Sequence, residues 1–193
     1  MPRVKLFNED EILKKSMELF WKKGYSATSV QDMVTHLGIN RGSIYDTFGD
    51  KKNLFDKSLA LYCCMNQNGT LAFLKNEKSV KIGLKKLLEC FVTDSIADRD
   101  NKGCFVVNTT TELNPCDEVI NKVLLENKDA YEKMFEDFLK KGQETGEIAK
   151  NKDVQAISSL IYTLLGGIRV IARLEKNEKK LLSSVNAVLS ILD

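Results

Sequence analysis

An all-α fold is predicted for this chain of 193 residues. Three observations support it. Only two prolines occur, Pro2 and Pro115, and the stretches between them are rich in the helix formers Lys, Glu and Leu. Apolar residues recur every three or four positions instead of alternating. No pair of strands and no βαβ alternation appears.

The elements follow in order. Asn8 with Glu11 three residues on is a capping-box pattern, and Leu13, Met17 and Phe20 give the first helix its apolar face before Gly24 closes it. A second start signal lies at Thr28 with Gln31, followed by Val30, Val34 and Leu37 and a stop at Gly38. Asn40 caps a third helix carrying Ile44 and Phe48 inward. Gly49 and Asp50 then precede a fourth with Leu54, Phe55, Leu59 and Tyr62 and a long connector. Residues 78–97 read as an amphipathic helix with Leu84, Leu87, Leu88 and Phe91 at helical spacing. The β-branched segment after Gly103 permits a strand, but its length and neighbours favour a short helix. Pro115 separates it from a long helix over 117–141, with Ile120, Leu124, Tyr131, Phe135 and Phe138 inward.

The last two segments carry strict seams: Val154, Ile157, Ile161, Leu164, Ile168 and Ile171, then Leu181, Val185, Val188 and Leu192. Such spacing suits helices packed lengthwise. Gly166 and Gly167 sit mid-helix, where each costs about 1 kcal/mol relative to Ala. Close approach of a second backbone across a two-fold axis would offset that, and so would a crossing within one chain. The homodimer interface expected here comprises Ile157, Ile161, Leu164, Gly167, Ile168, Ile171, Leu181, Val185, Val188 and Leu192.

Bulk properties narrow the function classes. With 43% hydrophobic and 29% charged residues, the composition is that of a globular protein, not a disordered one. The net charge of +2 is too small to announce nucleic-acid binding, although the whole excess falls in residues 1–57. No apolar run is expected to reach the eighteen or so residues that cross a bilayer, so no membrane partner is expected. Five cysteines, an odd number without a framework, suit a reducing cytoplasm. Metal binding is not expected, because no Cys-x-x-Cys pair occurs, adjacent Cys63 and Cys64 cannot chelate one ion, and His36 is the only histidine. No cofactor is expected. Cys90 falls on the apolar face of its helix and reads as core.

The stretch "LGINRGSIYDTFGDK" decides between the remaining classes. Residues 28–36, 37–40 and 40–47 read as helix, turn and recognition helix. Arg41, Gly42, Ser43, Tyr45 and Asp46 project opposite Ile44 and Phe48, as residues that enter a major groove must. Gly42 has no side chain to hold the backbone away from DNA. Thr28, Ser29 and the amides after them can take a phosphate, as can Lys51. Asp46 either accepts from a cytosine amine or pairs with Arg41 or a lysine on the helix surface. The ring of Tyr45 can serve the core while its hydroxyl meets a phosphate.

The run "GYSATSVQDMVTHLGINRGSIYDTFGDKKNLF" resembles the N-terminal domain of TetR family transcriptional regulators. Gly24, Thr28, Val30, Leu37-Gly38-Ile39, Gly42-Ser43, Tyr45, Phe48, Lys51 and Leu54 match its motif over residues 9–62; Asp46, Lys52 and Asn53 depart from it. The resemblance implies a DNA-binding domain at 1–50, a connecting helix at 51–66, and an effector-binding and dimerisation domain at 67–193. The phrase "GCFVVN" resembles a subgroup in which the cysteine begins a helix beside the effector cavity. The effector pocket then expected is lined by Phe91, Cys104, Asn108, Tyr131, Phe135 and Tyr162. A helix N-terminus favours thiolate, so Cys104 is a candidate redox or electrophile sensor with Cys116 as resolving partner; a small buried hydrophobe is the alternative. The function implied is a homodimeric repressor of a palindromic operator in double-stranded DNA, released by a small-molecule effector. Two other classes compete. A cysteine-dependent enzyme would lack a base beside Cys104. A helical adapter would use the 154–192 seams.

Overall fold

The computed structural model describes residues 7–113 and 117–193. Pro2, Pro115 and Cys116 therefore lie outside the described residues. Among those described are nine α-helices, a closing 3-10 turn and no strand.

Four helices form the N-terminal half: α1 (Glu9–Lys23), α2 (Val30–Leu37), α3 (Arg41–Phe48) and α4 (Lys51–Asn76). Asn8 caps α1 by accepting from the amides of Asp10 and Glu11 at 2.9 and 3.3 Å. Acidic residues in its first turn and Lys22 and Lys23 in its last complement the helix dipole. The cap of α2 is Ser29, not Thr28: Ser29 and Asp32 form a reciprocal capping box. Gly38 ends α2 in the left-handed region at φ +71°, the conformation a tight turn between two helices requires. Asn40 caps α3 through the Ser43 amide at 2.9 Å, and Asp50 caps α4 through the Asn53 amide at 2.7 Å. The expected connecting helix over 51–66 continues unbroken to Asn76. The polar run after Cys64 stays helical because Thr70 and Leu74 are buried along it.

The remaining helices are α5 (Val80–Ala97), α6 (Phe105–Glu112), α7 (Glu118–Glu144), α8 (Val154–Leu174) and α9 (Glu178–Leu189). The ambiguous segment is indeed a helix. Thr110 and Thr111 return their hydroxyls to the carbonyls of Val106 and Asn108, and Phe105 anchors its start in the core.

Two hydrophobic cores result. One joins Leu84, Leu88 and Val92 of α5 with Phe135 and Leu139 of α7, Ile161 and Ile168 of α8 and Val185 of α9. The other joins Phe20, Met33, Ile44, Leu54 and Phe55 with Phe105 and Val106 of α6 and Ile120 and Leu124 of α7. The helix-turn-helix half thus shares its core with α6 and the start of α7. Cys90, expected in the core, is exposed and donates to Asp94. It lies at the margin of the α5 stripe, which Leu87, Leu88 and Val92 occupy.

Contrary to the expectation for membrane spans, α8 is long and apolar enough by length and composition to cross a bilayer. Its interruptions are Ser, Thr and Gly more than charges, so its mean hydropathy stays high. One stripe of it, Ile157, Ile161, Ile168 and Ala172, is buried in the protein's own core.

Candidate functional site

The outward side of α3 is built by what its inward side does. Ile44 and Phe48 are buried as α3 packs on α4 and α2, which turns Arg41, Gly42 and Asp46 into solvent and leaves Ser43 and Tyr45 half-buried. The Arg41 guanidinium lies 5.2 Å from the centre of the Tyr45 ring, which orients it along the helix. Among the described residues Asp46 makes no ion pair, with Arg41 or with any lysine. Thr28 is placed otherwise than expected. It is 1% exposed and its hydroxyl donates to the Gly24 carbonyl at 2.6 Å, so it closes the α1–α2 turn and has no free hydroxyl for phosphate. The Ser29 hydroxyl serves Asp32 at 2.8 Å, and the open amides at this helix N-terminus are those of Val30 and Gln31.

The lysines nearby differ in their commitments. Lys23 pairs with Asp32 at 2.8 Å, and this ammonium first, then Ser29, holds the Asp32 carboxyl well below the usual range. Lys51 stands 4.3 Å above the Tyr25 ring, where burial lowers its pKa. Lys52, a departure from the family pattern, is not directed at DNA. It bridges Asp56 at 2.6 Å and Asp117 at 3.0 Å, tying α4 to the start of α7. Burial works against its charge, but these two carboxylates more than restore it and raise its pKa.

Further links, not foreseen from the sequence, join the helix-turn-helix half to α6. The Glu112 carboxylate accepts the amides of Tyr25 and Ser26 at 3.1 and 2.7 Å. A Cβ on Gly24 would meet the same carboxylate at 2.8 Å, and the φ of +81° there also demands glycine. At the other end of α6, Trp21 Nε1 donates to the Gly103 carbonyl at 3.0 Å, and Lys102 pairs with Glu18 at 2.9 Å.

A cavity of about 260 Å³ lies among α4, α5, α6, α7 and α8. Of the expected pocket residues, Phe91, Cys104, Tyr131 and Tyr162 line it. Phe135 does not: it is fully buried behind Tyr131, because the apolar face of α7 turns it into the core. Nor does Asn108, which faces an adjoining groove, donates to the Lys102 carbonyl at 2.7 Å and accepts from Arg173 at 3.0 Å. Walls that sequence reasoning missed come from Tyr62, Cys63 and Asn66 of α4, Val106 and Val107 of α6, Asn127 of α7, and Leu165, Gly166 and Arg169 of α8. A detectable signal existed: Tyr162, Leu165, Gly166 and Arg169 share one face of α8, distinct from the Ile stripe.

Cys104 is the N-cap residue of α6, and Tyr62 donates to its Sγ at 3.7 Å. Burial pushes the Tyr62 phenol well above its usual range. Burial likewise pushes the neighbouring Cys63 thiol up to about 12, which leaves that sulfur protonated and inert at neutral pH.

The proposed interface seam is mostly interior. Ile157, Ile161, Ile168, Leu181, Val185 and Leu192 are buried within the protomer, because a 3-4 repeat records that a face is apolar and not which molecule covers it. Leu164 and Val188 are half-buried, and Gly167 and Ile171 are outward. Leu164, Gly167 and Ile171 belong to a second seam on α8 in which Leu160, Ile171 and Leu174 are exposed by 39%, 40% and 80%. Gly166 faces the cavity and not this seam.

Comparison with known proteins gives the arrangement a lineage. The bacterial regulatory proteins, tetR family, match residues 12–57, and the tetracyclin repressor-like C-terminal domain matches residues 83–188. The chain is 27% identical to the HTH-type transcriptional regulator YezE of Bacillus subtilis (strain 168), covering 100% of both chains. It is 28% identical to the HTH-type transcriptional repressor ComR of Escherichia coli (strain K12), covering 98% of this chain and 90% of that one. A cysteine mutant of the TetR family transcriptional regulator CifR, complexed with 26bp double-strand operator DNA, aligns with a TM-score of 0.87 at 25% identity. That alignment covers 99% of this chain and 100% of the other. The reduced form of E. coli NemR shares the fold, with a TM-score of 0.86 at 14% identity over 95% of this chain and 96% of that one. Helix-turn-helix and helical C-terminal half are both matched, and the short helix with the exposed arginine and glycine lies within the first: the chain belongs to the TetR family of DNA-binding transcriptional regulators.

Proposed function

We propose that the protein is a homodimeric, cytoplasmic repressor that reads a palindromic operator through α3 and is released by a small molecule in the cavity. The observation that carries this reading is α3 itself: buried on Ile44 and Phe48, bare of large side chains at Gly42, with Arg41 and Asp46 exposed on its outer side and, among the described residues, outside any ion pair. Arg41, Ser43, Tyr45 and Asp46 are the groups for base edges or nearby phosphates. Ser29, the α2 amides and Lys51 serve the backbone. Two copies joined through the outer α8 seam, with Val188 and Ile191 of the C-terminal segment beside it, would set half-sites about 34–36 Å apart or a multiple of that. The exposed apolar side chains of that seam support a protein partner there. Effector binding acts by favouring one spacing of the two α3 helices over another.

The test is selection of bound sequences from random duplexes, followed by titration of variants. Arg41→Ala should lose about 1–3 kcal/mol on the selected palindrome and little on random DNA. Lys51→Ala should weaken both alike and reduce the salt dependence. If neither variant alters operator protection, α3 is not the reading element.

A second reading concerns the thiol. Cys104 lines the cavity at the start of α6 and is half-buried, whereas Cys63 beside it is buried and held protonated. A small electrophile entering the cavity would meet Cys104 first. Alkylation of Cys104 should then track loss of operator affinity, and a Cys104→Ser protein that responds fully to oxidants rules the thiol out.

A further inference from the structure

Resting on the effector reading above, the structure assigns a chemical class to the cavity: we propose that it takes a small organic monoanion, a carboxylate on an apolar body, with Arg169 as counter-ion. The walls are chiefly aromatic and aliphatic, from Phe91, Val106, Tyr131, Tyr162 and Leu165. Among the described residues no Asp, Glu or Lys lines it, so none of them neutralises a cationic ligand there, and Arg169 is the one charged lining residue.

Most of the polar lining side chains have a hydrogen-bond partner within the protein. Asn66 donates to the Tyr62 carbonyl at 2.8 Å, and Asn127 accepts from Gln67 at 2.8 Å. Thr110 and Thr111 donate to the carbonyls of Val106 and Asn108 at 2.8 and 2.9 Å. Arg173, one turn beyond Arg169, is held by Asn108 at 3.0 Å. Arg169 has no such partner. Its guanidinium lies 5.0 Å from the centre of the Phe91 ring, and among the described residues no carboxylate pairs with it. Asp94 of α5 is engaged by the Cys90 thiol instead.

A guanidinium over an aromatic face keeps its fixed charge and its planar fork of donors, which matches a carboxylate in two parallel hydrogen bonds. Size sets the rest of the ligand. An apolar cavity of about 150 Å³ holds benzene, so the larger space here admits a body of about a dozen non-hydrogen atoms.

The experiment uses the full-length protein and three probes of one shape: 3-phenylpropanoate, 3-phenylpropanamide and 3-phenylpropylammonium. Calorimetric titration should rank the acid first, about tenfold or more tighter than the amide, with the ammonium weakest. In Arg169→Gln the acid should fall to the amide's affinity while the amide is unchanged. Equal binding of acid and amide by the wild-type protein, tightest binding of the ammonium, or an acid preference surviving in Arg169→Gln would each overturn the assignment. So would absence of binding by all three at millimolar concentration. The wild-type ranking stands whether or not the variant folds. Operator binding by the same ligand-free preparation is measured separately: its failure would sink the regulator reading, and its success beside a failed ranking would sink only the anion.

Discussion

Replacing Glu112 by Ala removes the side chain that hydrogen-bonds the α1–α2 turn to α6. Two backbone amides, of Tyr25 and Ser26, lose a carboxylate acceptor at 3.1 and 2.7 Å. Hydrogen bonds to a charged group contribute about 1.5–3 kcal/mol each when sheltered. Both are exposed here, so solvent screening reduces the pair to about 1–2 kcal/mol. That corresponds to a factor of about 5–30 in the opening equilibrium of the turn. Amide hydrogen exchange should therefore accelerate by that factor at Tyr25 and Ser26, while the buried amides of α4 and α7 exchange as before. Function follows from position. The same short helix presents Cys104, Val106 and Val107 to the cavity, so Glu112 is the point at which a shift of α6 reaches the turn preceding α2. Operator affinity of Glu112→Ala should respond less to any ligand that occupies the cavity. Unchanged exchange at the two amides would show that the turn is held by its own packing and that this coupling route does not exist.

Other perturbations test separate parts of the structure. Glu147 accepts from Ser79 Oγ and from the amides of Val80 and Lys81, the latter two at 2.7 and 2.9 Å, so it caps α5 from outside. Burial opposes its ionisation, but these donors outweigh burial and hold its pKa below the ordinary 4.5. A lowered folded value means stability that is present above 4.5 and lost as pH falls through the folded value. Glu147→Gln should therefore cost about 1–2 kcal/mol in urea unfolding at neutral pH, the gap narrowing below pH 4.5; a gap independent of pH would refute the charge-based cap. Gly166→Ala should raise stability by about 0.5–1 kcal/mol, or about 1–4 °C in Tm, since a Cβ there meets nothing within 4 Å. Gly166→Leu should instead fill the cavity and abolish probe binding while operator affinity persists; retained probe binding would place the ligand elsewhere. Ile171→Asp, at an exposed position, should leave the protomer folded but monomeric by sedimentation, with operator affinity lost. A dimer that survives this change does not use the outer α8 seam.

Local chemistry is what the chain spells out residue by residue. Asn8, Ser29, Asn40 and Asp50 each satisfy the first amides of a helix, and Gly24, Gly38 and Gly49 each take the positive φ that ends one. Those signals act over three or four residues, so the helix-turn-helix and the outward placement of Arg41 and Gly42 were legible without coordinates. Even there a neighbouring hydroxyl misled: Thr28 and Ser29 are both capping types, and only the packing of Thr28 against Gly24 separates them. Apolar period proved informative about helix and silent about partner. Val185 and Ile168 belong to the same kind of repeat as Ile171, yet the first two are buried in the protomer and the third is not. The cavity lay further from view, because its wall gathers Tyr62, Phe91, Cys104, Tyr131 and Arg169 from five helices. Sequence alone therefore determined the helices and the side that α3 turns outward, since caps and periodicity are short-range. Tertiary packing alone decided which apolar stripe became core, which arginine came to line the cavity, and how α6 links a cavity to a turn: each depends on residues distant in the chain, as Tyr62 and Cys104 are at 42 positions and Tyr25 and Glu112 at 87.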